Sequence, residues 1–203
     1  NQKTGESEGF TNVALRDSAQ SLLLNGGYGI YNEKTNKGFV IDSATVINFA
    51  DADSMFITSD TIFYDSSEEG VTHLKAYYNV QAWHIDIQSL CDSLYYNSKD
   101  STAQMFGAPI IWNENNQITG ESIKMYIKNK NVDKVDVIGS AFIFSKNDTL
   151  AINQVSGKLI TAYISDGKLY KADVSGNALS VYFVEDEPDS TQVNAPKEYV
   201  GIN

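Results

Sequence analysis

The chain has 203 residues, enough for one elongated domain or two small compact ones. Hydrophobic residues make up 42% and charged residues 20%, a globular balance, and 15 basic against 26 acidic side chains (net −11) argue against a phosphate-backbone partner. A single cysteine, Cys91, rules out an internal disulfide framework, and no apolar run approaches the ~18 residues of a membrane-spanning helix.

In chain order, residues 1–12 read as a polar leader that could stay disordered, and 13–203 as a single domain. Leu15, Ala19, Leu22 and Leu23 have helical spacing, so 13–24 could form a short helix; no repeat register arbitrates there, and strand is preferred. Gly26–Tyr31, a polar turn over 32–38 and Phe39–Ile41 predict a hairpin, with a further strand over 43–49. The β-formers are abundant, with 12 Tyr and 9 Phe, and only Pro109, Pro188 and Pro196 interrupt potential ladders.

Downstream the sequence repeats. The segments TSDTIFYDS (58–66), LCDSLYYNS (90–98), TGESIKMYI (119–127) and SGKLITAYI (156–164) share one pattern, with starts 32, 29 and 37 residues apart. Their third position is Asp60, Asp92, Glu121 or Lys158; two residues on stand Ile62, Leu94, Ile123 and Ile160; two further stand Tyr64, Tyr96, Met125 and Ala162. One face is always apolar and the other varies, as a strand with one buried face requires. Residues 85–96 also carry helical spacing, but the shared register assigns them to strand. A second element follows each motif, aligning Asn79, Gly107, Gly139 and Gly176, and a recurrent Gly inside a strand marks a bulge or tight bend. Turn-rich segments at 66–70, 97–101, 113–117, 128–131, 145–148 and 165–168 complete two strands and two turns per unit. One such unit cannot bury an apolar face alone, whereas stacked units can. The two apolar columns then line one interior, which is either a filled core or a groove for an apolar ligand. The chain ends on Tyr199–Asn203, which reads as the start of a further unit and a truncated C-terminal edge.

Catalytic and metal chemistry find little support. His73 and His84 are the only histidines, and His84 with Asp86 falls short of a metal site. Asp60, Asp92 and Glu121 recur at a repeat position, which suits a turn cap or a water-facing strand start better than acid–base work. Asp51 and Asp53 lack the rest of a calcium loop, and GGYG (26–29) lacks the helix and Lys of a phosphate loop. Tyr77, Trp83, Tyr95 and Trp112 could stack on sugars, although ordinary sheet packing is the stronger reading. Residues 124–171 form a Lys-rich band with 8 Lys and 4 Asp in an otherwise acidic chain.

Several of these runs resemble the OstA-like family: ITSDTIFYDS (57–66), LKAYYNVQAW (74–83), IQSLCDSLYYNSKDST (87–102), PIIWNENNQITGESIKMYI (109–127), NQVSGKLITAYISDGKLYKADVSGNA (153–178) and YVGIN (199–203). The resemblance covers about 26–203 and is nearest to the OstA-like proteins of Bacteroidetes-type bacteria. It implies an all-β chain in an elongated open β-jelly-roll, two antiparallel sheets in a V, with no enzymatic activity and no cofactor. It also implies a periplasmic role in lipopolysaccharide transport and outer-membrane assembly. Acyl chains would lie against Ile62, Tyr64, Leu94, Tyr96, Ile123, Met125, Ile160 and Ala162. The expected partners are lipopolysaccharide or a related lipid, and other envelope-transport proteins or further copies joined by strand-edge pairing. The alternative is a β-repeat scaffold that assembles edge to edge without lipid.

Overall fold

The computed structural model describes residues 3–50, 54–113, 115–146, 152–165, 168–185 and 199–202. All regular structure among them is β. The strands are β1 (Glu6–Asp17), β2 (Leu22–Asn32), β3 (Lys37–Asn48), β4 (Met55–Asp65), β5 (His73–Trp83), β6 (Gln88–Asn97), β7 (Thr102–Phe106), β8 (Ile110–Asn113), β9 (Asn116–Thr119), β10 (Ser122–Lys128), β11 (Asn131–Lys146), β12 (Ile152–Ser165), β13 (Lys168–Ser175), β14 (Leu179–Glu185) and β15 (Tyr199–Ile202). They pair antiparallel, neighbour to neighbour along the chain, with β8 and β9 bridging β6 and β11 beside β7 and β10.

The bend in the sheet is set by a pair of left-handed residues at the corner of every second strand. Thr11–Asn12 in β1, Asp42–Ser43 in β3 and Tyr78–Asn79 in β5 have positive φ, as do Gly107–Ala108, Gly139–Ser140 and Gly176–Asn177 further on. At each, the ladder register shifts, because two residues stand opposite one on the neighbouring strand. A bulge of this kind bends and twists its strand. β7 with β8, β9 with β10, and β13 with β14 are each one bent strand interrupted at that corner, since both members pair with the same neighbouring strands. Each strand thus has an A half and a B half on either side of its corner: Ile62 and Tyr64 lie in the A half of β4, Ile57 in its B half.

The corner explains the recurrent charged position. Asp60, Asp92, Glu121 and Lys158 are at mid-strand rather than at a strand start or in a turn, each beside a left-handed pair. Asn79 Nδ2 donates to both carboxylate oxygens of Asp60 at 3.1 and 3.3 Å, and Ser140 Oγ donates to Glu121 Oε1 at 3.1 Å. A Cβ placed on Gly107 would sit 2.4 Å from Asp92 Cβ, and one on Gly176 would sit 2.7 Å from Lys158 Cβ. The repeated side chain therefore covers the bulge, and the slot below it is glycine in three units. In the first unit Tyr78, one residue before the Asn79 expected there, holds that slot. On the inner side of the bend space is equally short: a Cβ on Gly157 would come within 2.6 Å of Val174 Cγ1.

The predicted hairpin over 26–41 is present as β2 and β3, but 43–49 is the second half of β3 and not a further strand. The left-handed Asp42–Ser43 pair turns the chain without releasing it from the ladder. Residues 13–24 are strand on both sides of the first turn, and 88–97 is strand β6. β1 takes in residues 6–12 of the expected leader, because their backbone pairs with β2 and Phe10 packs on Tyr28 with ring centroids 5.2 Å apart. Asp51, Asp53, Pro188, Pro196 and parts of the turns at 113–117, 145–148 and 165–168 lie outside the described residues.

Several turns share a device. Asp17, Asn32, Asn48, Asp65 and Asn97 each end a strand, and each side chain accepts a hydrogen bond from a backbone N–H two residues on. Such Asx turns release the chain from the ladder and start the return strand.

Candidate functional site

The interior is built from inward-facing rows that cross the strands. In the A halves, one row runs Gly29, Val40, Ile62, Ala76, Leu94, Met105, Ile123, Val137, Ile160 and Val174, each paired directly with the next. The second, farther from the corner, runs Gly38, Tyr64, Leu74, Tyr96, Ala103, Met125, Val135, Ala162 and Ala172. All eight residues singled out in the repeat lie on these rows: Ile62, Leu94, Ile123 and Ile160 alternate along the first, and Tyr64, Tyr96, Met125 and Ala162 along the second. Between them stand Ala76, Met105, Val137, Leu74, Ala103 and Val135, supplied by the second strand of each unit. Strict period-2 alternation in β5 and β11 carries that signal, outside the four repeat motifs.

The B halves supply a facing row of Leu15, Leu24, Val46, Ile57, Ala82, Ser89, Ile111, Ile118, Ile143 and Val155. Buried side chains from both halves join in one hydrophobic cluster. Ile62, Ile160 and Ala162 have no exposed surface, and Ile123, Leu94 and Tyr64 are also buried. Tyr96 and Met125 are only partly buried and pack against the edge of the cluster. No charged residue occurs in any of these rows, and Leu74, Val135 and Ala162 of the second row are as buried as the first, leaving Tyr96 and Met125 as its partly covered members.

Away from the corner, a hydrogen bond joins the two halves. The Tyr64 hydroxyl, from the A half of β4, donates to Asp17 Oδ2, at the end of the B half of β1, at 2.5 Å. Asp17 Oδ1 meanwhile accepts the N–H groups of Ala19 and Gln20 at 2.9 and 3.1 Å, which fixes the carboxylate in place. Burial, reinforced by the Asp17 hydrogen bond and charge, pushes the Tyr64 phenol up to about 12. Burial and then Asp17 raise Tyr31, and burial raises Tyr96. Near the start of β5, Thr72 Oγ1 is buried with no hydrogen-bond partner, although the Thr72 backbone is held by Ser98. A buried hydroxyl left unpaired costs about 1–3 kcal/mol.

Elsewhere the chemistry is sparse. Cys91 is buried at the corner of β6, where burial and then neighbouring Asp92 push its thiol up to about 12, so it carries little thiolate. His84 Nδ1 lies 3.9 Å from Asp86 Oδ2, and among the described residues no three His, Cys, Asp or Glu side chains come together. Trp83 and Trp112 both pair with Gln88 on B halves, whereas Tyr77 and Tyr95 stand on A halves, so the structure divides the four candidate sugar-stacking rings into two groups.

The chain matches no protein-family model and no curated protein with significance.

Proposed function

We propose that the chain is a non-enzymatic lipid carrier of a Gram-negative cell envelope. In this reading it is an OstA-like jelly-roll whose two sheets open as a V, and it holds the acyl chains of lipopolysaccharide or a related lipid during outer-membrane assembly in the periplasm. The observation that carries the reading is the uncharged wall, continuous across the stacked units, with Tyr96 and Met125 only partly covered. An acyl chain gains about 0.8 kcal/mol per methylene buried, so a wall of this length is a natural host for one. Loading requires the halves to part away from the corner, which breaks the Tyr64–Asp17 hydrogen bond while the corner rows stay in contact. The resemblance of the repeat runs to the OstA-like family points the same way.

A second reading is favoured by the closure of the first row, where Ile62 and Ile160 have no exposed surface. A filled core suits a scaffold that works through its edges, and β1 has a strand partner on one side only among the described residues. Purification from cell envelopes without detergent, followed by mass spectrometry of the bound lipid, separates the two. The carrier yields a co-purifying acylated glycolipid, and the scaffold yields none.

A further inference from the structure

The outer face of the A halves carries a feature that neither the core nor the carrier role uses. Where β3, β4, β5 and β6 run side by side, their outward side chains enclose a shallow depression of about 560 Å³. That volume lies within the range of small-ligand sites, about 300–1,000 Å³. Its walls include Lys37, Phe63, Asp65, His73, Lys75, Tyr77 and Tyr95, with Gly38 and Tyr64 of the inward row also bordering it. Register brings them together: Phe63, Lys75 and Tyr95 occupy one cross-strand row, with Lys37 and His73 in the row on one side and Tyr77 in the row on the other.

We infer that this depression is a binding site for an anionic saccharide, a sugar bearing a carboxylate or a phosphate. Three observations converge on that chemistry. Phe63 and Tyr77 present exposed rings, 44% and 38% accessible, in an edge-on pair with centroids 5.9 Å apart. Such rings offer the apolar C–H face of a pyranose a surface to lie on. The His73 and Tyr95 rings are stacked at 7° to one another, and Tyr95 Oη is 2.9 Å from His73 Nδ1. That bond locks both rings and leaves the other imidazole nitrogen to meet a sugar hydroxyl.

The third observation is charge. Asp65 is engaged by Lys37 Nζ at 2.8 Å and by Ser67, so the only carboxylate at the site is already neutralised. Lys75 Nζ stands 5.7 Å from the centre of the Tyr95 ring and has no carboxylate partner among the described residues. Within residues 1–123, which carry 6 basic and 16 acidic side chains, this is a local cationic spot framed by aromatic rings. A neutral sugar uses the rings alone; an anionic one also satisfies the Lys75 ammonium. The site faces away from the apolar interior, so its occupation does not depend on the interior holding lipid.

The test is a titration of the ¹⁵N-labelled chain with D-glucuronic acid, glucose 6-phosphate, glucose and inorganic phosphate, followed by amide chemical shifts. Either anionic sugar should shift amides at 37, 63, 73, 75, 77 and 95, binding about five-fold more tightly than glucose, the scale of one exposed charge contact. Lys75→Gln should erase that preference while leaving glucose binding and the thermal midpoint unchanged. Tyr77→Ala should weaken all three sugars. The stronger of the two anionic sugars identifies the anion. The proposal is overturned if neither anionic sugar gives localised shifts, if inorganic phosphate alone binds as well, or if Lys75→Gln keeps the preference.

Discussion

Replacing Gly107 with Ala isolates what holds the corners. Gly107 has φ +77° and Gly70 has φ +72°, so both lie in the left-handed region, where an L side chain costs about 1–2 kcal/mol. Their surroundings differ completely. A Cβ on Gly70, in the turn before β5, meets nothing within 4 Å, whereas one on Gly107 lands 2.4 Å from Asp92 Cβ and 3.5 Å from Asp92 Cα. Asp92 Cβ is fixed to the backbone of β6 and cannot swing away, so relief requires moving the strand, an overpacking cost of about 1–3 kcal/mol. Gly70→Ala should therefore cost about 1–2 kcal/mol and Gly107→Ala about 2–5 kcal/mol. Urea unfolding of both variants, compared at constant m-value, measures the difference. Losses equal within ~0.5 kcal/mol would refute the view that the charged repeat position closes over the bulge. In the first unit Tyr78 holds the equivalent left-handed position, and the following Asn79 bonds both Asp60 oxygens.

Two further outcomes follow from the interior. Ile123→Ala, in the covered row, should lose about 2–5 kcal/mol by urea unfolding, while Ile138→Ala, 47% exposed on the outer face immediately before the bend, should lose less than about 1 kcal/mol. Tyr64, with its folded pKa near 12 against about 10 when unfolded, contributes stability fully present below pH 10 and lost as pH rises towards 12. Tyr64→Phe should flatten the alkaline decline of the unfolding midpoint across that window. A late-titrating phenol should also vanish from the absorbance at 295 nm.

The sequence was most legible where one residue type recurs at one structural position. Ile62, Leu94, Ile123 and Ile160 share a period-2 register, and the structure places them as alternate members of a single paired row. The turns were legible for the same reason, since Asp or Asn ends strand after strand. The corner was only half legible. Gly107, Gly139 and Gly176 announced a bend, but Tyr78 in the equivalent slot shifted the alignment by one residue. The left-handed Thr11–Asn12 and Asp42–Ser43 pairs contain no glycine at all. Without that marker, β3 reads as two strands. The Tyr64–Asp17 bond between the two halves joins residues 47 positions apart and leaves no local signature. The outer depression likewise depends on cross-strand register among four strands, which no single segment encodes.

The central claim is that acyl chains enter between the two halves away from the corner. Photo-crosslinking amino acids at Tyr96 and Met125, compared with Gln104 and Lys124 on the opposite face of the same ladders, test it in living cells. The account predicts lipopolysaccharide adducts at the two inward positions and none at the two outward ones. Absence of lipid at Tyr96 and Met125, or equal labelling on both faces, would contradict it.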